Sequence, residues 1–211
     1  MILIIGAMAS ETVAIETLIQ NKEYISIASK PIVIGRINQT PVMLATTGVG
    51  KVNAGLLLSA ILAKYKIESI INVGLVGGFN PLKQGEMVII NLATYHDFDL
   101  SIFGYEKGQV PQMPTYYESD QAMLAKATSV LKLSHVTLYT GDTFTTSEIE
   151  QGACCDMEGA ALYQVAHLYN KPILSIKVIS DVIGHASQIE DYEAFEHSCS
   201  ERFKTLIGLI L

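Results

Sequence analysis

The chain has 211 residues, 49% hydrophobic and 17% charged, with a formal net charge of −7. Those proportions exclude a disordered chain, and an acidic balance with no basic run disfavours nucleic acid and anionic membrane surfaces as partners. The length suits one domain over residues 1–211, and so apolar a composition suggests burial in an oligomer as well as in a core.

The opening MILIIGAMA imitates a signal peptide, since an apolar run meets an A-x-A-like AMA. It lacks basic residues and the run is short, so a buried first strand at residues 2–5 is expected. Further strands are expected at 32–37 paired with 42–46, then at 69–74, 87–94, 136–140, 153–156 and 173–180, several of them apolar on both faces. Helices fit about 11–20, 52–65, 120–131 and 158–169. Residues 97–118 read as a long loop bearing aromatics, Pro and Gly, of the kind that serves function or an interface. Near the end, Ser187 and Glu190 suit a capping box ahead of Tyr192, Phe195, Cys199, Phe203, Leu206 and Ile210, a stripe read as core of one last helix. Alternating strands and helices make this an α/β protein. Three cysteines, two of them adjacent, cannot form a disulfide framework and suit a reducing cytoplasm.

Two glycine-rich stretches invite a phosphate or dinucleotide reading. TTGVGKVNAG fails both patterns: Ala45 and Val52 stand where a phosphate loop needs Gly and Ser or Thr, and Asn53 replaces the third dinucleotide glycine. It remains a turn that lets a ligand approach backbone N–H groups, as does NVGLVGG. HDFD at 96–99 has no companion His or Cys cluster, so it is read as pinning a loop and no metal is expected.

The acids carry more. Glu11, Glu158 and Asp181 each fall at the carboxyl end of an expected strand, the edge where open α/β sheets bind ligands. Each alone could serve a helix N-terminus or a turn. Together they suit a cationic transition state such as the oxocarbenium ion of ribosyl C–N cleavage, where carboxylates stabilise charge, activate water and protonate the departing base. In CCDMEGAAL the second acid either caps a helix or stands at the mouth of a pocket.

IIGAMASE, GVGKVNAG, NVGLVGG, YHDFDLSIFGYEKGQVP, TGDTF, DMEGAAL and ISD resemble, in this order, the motifs of methylthioadenosine/S-adenosylhomocysteine nucleosidases within the nucleoside phosphorylase superfamily. The resemblance covers residues 4 to about 181. It implies a three-layer α/β/α sandwich around a mixed, partly barrel-like central sheet, a homodimer, a small-molecule nucleoside substrate, and no metal or cofactor. By the same resemblance Glu11 is the base that activates water and Asp181 the acid that serves purine N7. Glu158 holds the ribose hydroxyls above Met157, Phe144 stacks on adenine, and backbone groups of Thr145 and Val76 meet the base edge. Met8 and Val49 line the pocket, Lys177 stands near the water, and Leu100, Phe103 and Pro111 of the partner subunit cover the 5′ substituent.

The chain departs from that pattern at four places. Leu75 replaces a usual Ser, Lys177 a usual Arg, DMEG the usual EME, and residues 146–152 are shortened. Lys177 keeps the charge but loses the bidentate geometry. The activity implied is hydrolysis of 5′-thio-substituted adenosines. The alternatives are a futalosine-type nucleoside hydrolase, a purine nucleoside phosphorylase and a non-catalytic nucleoside-binding protein. GAMASETVAIE lacks the Arg that phosphorylases carry after the first strand, and a protein without catalysis has no chemical reason to keep all three acids.

Overall fold

Ile2–Gly6 forms the first strand, β1, whose alternation sends Leu3 and Ile5 into one apolar cluster and Ile4 into another. All three are fully buried, and each such side chain contributes roughly 1.5–3 kcal/mol. The strand is therefore held from both faces, which explains its unbroken apolar run. The computed structural model describes residues 1–196 and 199–211.

After β1 come α1 (Ala9–Glu16), β2 (Gln20–Ile27), β3 (Lys30–Ile37), β4 (Thr40–Thr46), α2 (Lys51–Lys64), β5 (Ser69–Gly78) and β6 (Met87–Tyr95). A 3₁₀ turn at Ser101–Phe103 precedes β7 (Tyr117–Glu118), α3 (Gln121–Leu131), β8 (Ser134–Thr140), β9 (Cys154–Asp156), α4 (Gly159–Leu168), β10 (Ile173–Val182), α5 (Gln188–Glu196) and α6 (Ser200–Ile210). The sheet runs β10-β6-β8-β9-β5-β1-β4-β3-β2, and β10 also pairs with β5. That extra pairing closes β5, β10, β6, β8 and β9 into a ring, from which β1, β4, β3 and β2 extend as an open wing. The sheet is mixed: β1 lies parallel to β4 and β5, while β10 lies antiparallel to β6. Helices α2 and α4 pack in the cluster with Leu3, and α1, α3 and α6 in the cluster with Ile4. The expected layers and partly barrel-like sheet are present. No helix among the described residues is long and apolar enough to cross a membrane.

The expected pairing of 32–37 with 42–46 holds as the β3–β4 hairpin, whose turn residues Asn38 and Gln39 have φ of 46° and 70°. Both angles belong to the left-handed pair of a tight hairpin turn. Three expectations need correction. The helix expected over 11–20 occupies Ala9–Glu16, and Gln20 instead starts β2, a largely exposed strand at the end of the sheet. Its QNKEY carries no apolar alternation because neither face is covered there. The strands expected over 69–74 and 173–180 run on to Gly78 and Val182, so NVGLVGG is part of a strand and not a turn. Finally, the single last helix is two: Cys199, Phe203, Leu206 and Ile210 are buried at or in α6, but Tyr192 sits on α5. Ser187 Oγ donates to Asp191 Oδ2 at 2.8 Å, so the expected pairing with Glu190 is replaced by one with Asp191.

Candidate active site

Glu11 enters the site from the first turn of α1 and is 2% exposed. Its Oε2 accepts from the N–H groups of Ala7 at 2.7 Å and Met8 at 2.9 Å, and its Oε1 accepts from Leu75 N–H at 2.8 Å. The carboxyl thereby ties the end of β1 to the middle of β5. Burial pushes its pKa up, while the Lys177 charge and the three N–H groups pull it down; the balance lies above the ordinary value. Such a group is a better base than a surface glutamate. Gly74 makes the room, because a Cβ there would lie 2.9 Å from Glu11 Oε1 and 3.1 Å from Lys177 Nζ.

The two acids of CCDMEG have separate tasks. Asp156 Oδ1 and Oδ2 accept from Gly159 N–H at 3.0 and 3.1 Å, and Oδ1 also accepts from Glu158 N–H at 3.3 Å, which caps the start of α4. Thr140 Oγ1 donates to Asp156 at 2.6 Å, and Lys177 Nζ pairs with it at 3.0 Å. Freed from capping, Glu158 reaches across to α2, where Oε1 accepts from Gly50 N–H at 2.7 Å. Gly50 has φ of 100°, a conformation glycine adopts without strain. Burial and the neighbouring Asp156 raise Glu158 to about 7, against the pull of Gly50 and Lys177. Two N–H groups of the glycine-rich turn are thus held by protein carboxylates, since Lys51 N–H likewise goes to Asp142 Oδ1 at 2.9 Å.

Asp181 is aimed by a bulge. The β10–β5 register shifts between Ile179 and Asp181, leaving Ser180 as the extra residue, so Ser180 and Asp181 both line one pocket although they are adjacent in a strand. Ser180 Oγ lies 2.5 Å from Asp181 Oδ1, and Gln188 Nε2 donates to Oδ2 at 2.9 Å. Burial raises the pKa of Asp181, opposed by these two hydrogen bonds. An acid kept protonated to higher pH is suited to give its proton away.

Residues 1–211 match the family described as the Phosphorylase superfamily. The chain belongs to that superfamily. A curated relative from Geobacillus sp. (strain WCH70), a 5′-methylthioadenosine/S-adenosylhomocysteine nucleosidase, is 32% identical over 98% of this chain and 95% of its own. A Borrelia burgdorferi B31 protein assigned the same activity and bound to adenine is 35% identical, with a TM-score of 0.89 over 100% of both chains. The Streptococcus pneumoniae nucleosidase with the transition-state inhibitor MT-ImmA is 26% identical, with a TM-score of 0.93 over 99% of this chain and 97% of that one. Futalosine hydrolase of Helicobacter pylori, at 21% identity and a TM-score of 0.92, shares the fold.

In this superfamily member the pocket gathers nine of the expected residues: Met8, Glu11, Val49, Val76, Phe144, Thr145, Met157, Glu158 and Asp181. Lys177 does not line it; at 2% exposure it lies behind the wall, where burial opposes its charge but Asp156, Glu11 and Glu158 outweigh burial and raise its pKa. Its ion pair with Asp156 and the nearby Glu11 and Glu158 make it a counter-charge to the acids. Leu100, Phe103 and Pro111 also stand outside the pocket of this chain, on the loop after β6, with Phe103 70% exposed. Asp97 of HDFD does pin loops, accepting from Lys51 Nζ at 2.6 Å and Asp142 N–H at 2.9 Å. Sequence reasoning missed Ser180, Ile183, Gln188 and Tyr192 as pocket residues. Tyr192 packs edge-on against Phe144, centroids 5.7 Å apart, and its hydroxyl meets Met8 Sδ at 3.5 Å.

Proposed function

We propose that this chain hydrolyses the N-glycosidic bond of 5′-thio-substituted adenosines, such as methylthioadenosine and S-adenosylhomocysteine, releasing adenine and the thioribose. The observation that carries the reading is the convergence of Glu11, Glu158 and Asp181, all with raised pKa values, on one pocket whose lining includes no Arg or Lys among the described residues. Phe144 and Tyr192 supply an aromatic wall for a purine, and Met157 an apolar floor beneath a sugar.

As the C1′–N9 bond breaks, its electron pair moves into the base and Asp181 protonates N7, so adenine leaves neutral. The sugar becomes an oxocarbenium ion, whose charge Glu158 stabilises while holding the ribose hydroxyls. Glu11 takes a proton from water, whose oxygen bonds to C1′. Water is favoured over phosphate as nucleophile because the N–H groups of Gly50 and Lys51 are already held by Glu158 and Asp142. A non-catalytic binder has no use for three buried carboxylates, whose burial is costly.

The 5′ pocket is completed by a second copy, in a homodimer. Val52 and Leu56 on α2 and Ile102 and Phe103 on the loop are large apolar side chains each left more than half exposed, which a second copy would cover. Phe103→Ala should therefore raise KM for methylthioadenosine about tenfold or more, the effect of losing a buried aromatic contact, and alter that for plain adenosine much less. Equal changes on both substrates, or full activity in a sedimenting monomer, would defeat the shared pocket. The function itself is tested by chromatography of products from methylthioadenosine and from a futalosine-type nucleoside. Adenine from the first and no base from the second is expected; the reverse would make the chain a futalosine-type hydrolase.

A further inference from the structure

Gln188 opens α5 and is 5% exposed, a deep position for a glutamine. Its Nε2 donates to Asp181 Oδ2 at 2.9 Å and to the Thr145 carbonyl at 2.9 Å, and its Oε1 accepts from Gly184 N–H at 3.2 Å. These partners fix the amide's direction: turned over, its oxygen would face two acceptors and its NH₂ a donor. Gln84 ties the same elements again, donating through Nε2 to the carbonyls of Ser180 at 2.8 Å and Asp191 at 3.1 Å. Helix α5 is thereby fastened to the bulge that carries the acid.

Counting donors locates the acid's proton. Oδ2 already accepts from Gln188, so a proton on Asp181 belongs on Oδ1, 2.5 Å from the Ser180 hydroxyl. That hydroxyl has one hydrogen and a second acceptor, the Val76 carbonyl at 3.1 Å. When Asp181 is protonated it donates to Ser180 and Ser180 donates to Val76; when it is ionised, Ser180 turns its hydrogen back to Oδ1.

We infer that Gln188 is a positioning residue for the general acid, which by occupying Oδ2 holds the Asp181 carboxyl in place and reserves Oδ1 for the transferable proton. The inference rests on the reading of Asp181 as the acid. Gln188 also favours the ionised carboxylate, as does Ser180, against burial and the charge of Asp191. The other titratable groups facing Asp181 are Tyr192 from α5 and Cys155 from β9, with Glu11 and Glu158 lining the same pocket.

Q188M keeps the side chain's length and removes both amide groups. It should lower kcat on methylthioadenosine about 10- to 100-fold, the loss expected for one hydrogen bond to a charged group, with KM changed less than about threefold. On a nitrophenyl riboside, whose leaving group needs no proton, the loss should stay below about threefold. The alkaline limb of the kcat profile should move to higher pH, because a donor that favoured the ionised acid is gone. Q188E should regain part of the loss at acidic pH, where a protonated carboxyl again donates to Oδ2. Wild-type kcat in Q188M, an unmoved alkaline limb, or equal losses on both substrates would overturn the inference. Carbon-13 titration of the Asp181 carboxyl in ligand-free protein, with D181N to assign the signal, decides it without turnover: a higher midpoint in Q188M supports the role and an unchanged one refutes it. Lack of adenine release by the wild type would instead refute the nucleosidase reading, leaving this titration to judge Gln188.

Discussion

Asp181→Asn is expected to lower turnover of methylthioadenosine about 10²- to 10⁴-fold, the usual worth of a positioned proton donor. Adenine is a poor leaving group as an anion, and the asparagine amide can offer a hydrogen bond but cannot transfer a proton. Its oxygen can still accept from Gln188 Nε2, so the hydrogen bond now made at 2.9 Å survives the change. The nitrophenyl riboside separates chemistry from damage, and the variant should retain most of its activity there. A folded, ligand-binding variant that lost both activities equally would make Asp181 an electrostatic or structural group and end the proposed division of labour.

Glu11→Gln should lose on both substrates, by about the same 10²- to 10⁴-fold, since both need an activated water. The variant also has a structural signature. Glu11 accepts three backbone N–H groups through two oxygens, and a glutamine has only one acceptor oxygen. It can keep Ala7 and Met8 only by turning its NH₂ against Leu75 N–H. That costs about 1–3 kcal/mol for the stranded donor, offset in part because a buried charge has been removed. Melting temperature measured beside kcat separates the two effects, and retention of activity on either substrate would remove Glu11 from the role of base.

The raised pKa values fix the signs of the pH profile. Asp181 must be protonated to act, so kcat falls as pH rises through its folded value, which burial places above that of a free aspartate. Glu11 must be ionised, so kcat falls as pH drops through its own raised value. A bell results, and Asp181→Asn should abolish its alkaline limb while leaving the acid limb to Glu11 and to Glu158, which must also be ionised and is raised to about 7.

The three acids were legible because each is a charge placed where an apolar strand gives way, and a charge there needs a reason. Which acid of DMEG caps α4 was not legible: both stand near the helix start, and only the strand-end geometry gives Asp156 the N–H groups of residues 158 and 159 and sends Glu158 to Gly50. Lys177 carried a signal about its protein partners that its reading as a charge near the water did not use. A lysine inside ILSIKVIS, a strand buried along its whole length, demands buried carboxylate partners before it suggests a substrate. Gln188 and Tyr192 were hidden because α5 and α6 share one apolar periodicity, which a continuous helix would satisfy equally well. β2 was hidden for the opposite reason, since a strand exposed at the sheet's end has no apolar face to print in the sequence. The bulge at Ser180 has no sequence mark, yet it is what turns Asp181 into the pocket.

The most direct measurement is the fate of the sugar when methylthioadenosine is turned over in ¹⁸O-labelled water, with phosphate absent and then saturating. One ¹⁸O at C1′ of the thioribose for each adenine released, at a rate indifferent to phosphate, is the predicted result. Turnover that requires phosphate and yields an unlabelled sugar phosphate, or no adenine at all, would contradict it.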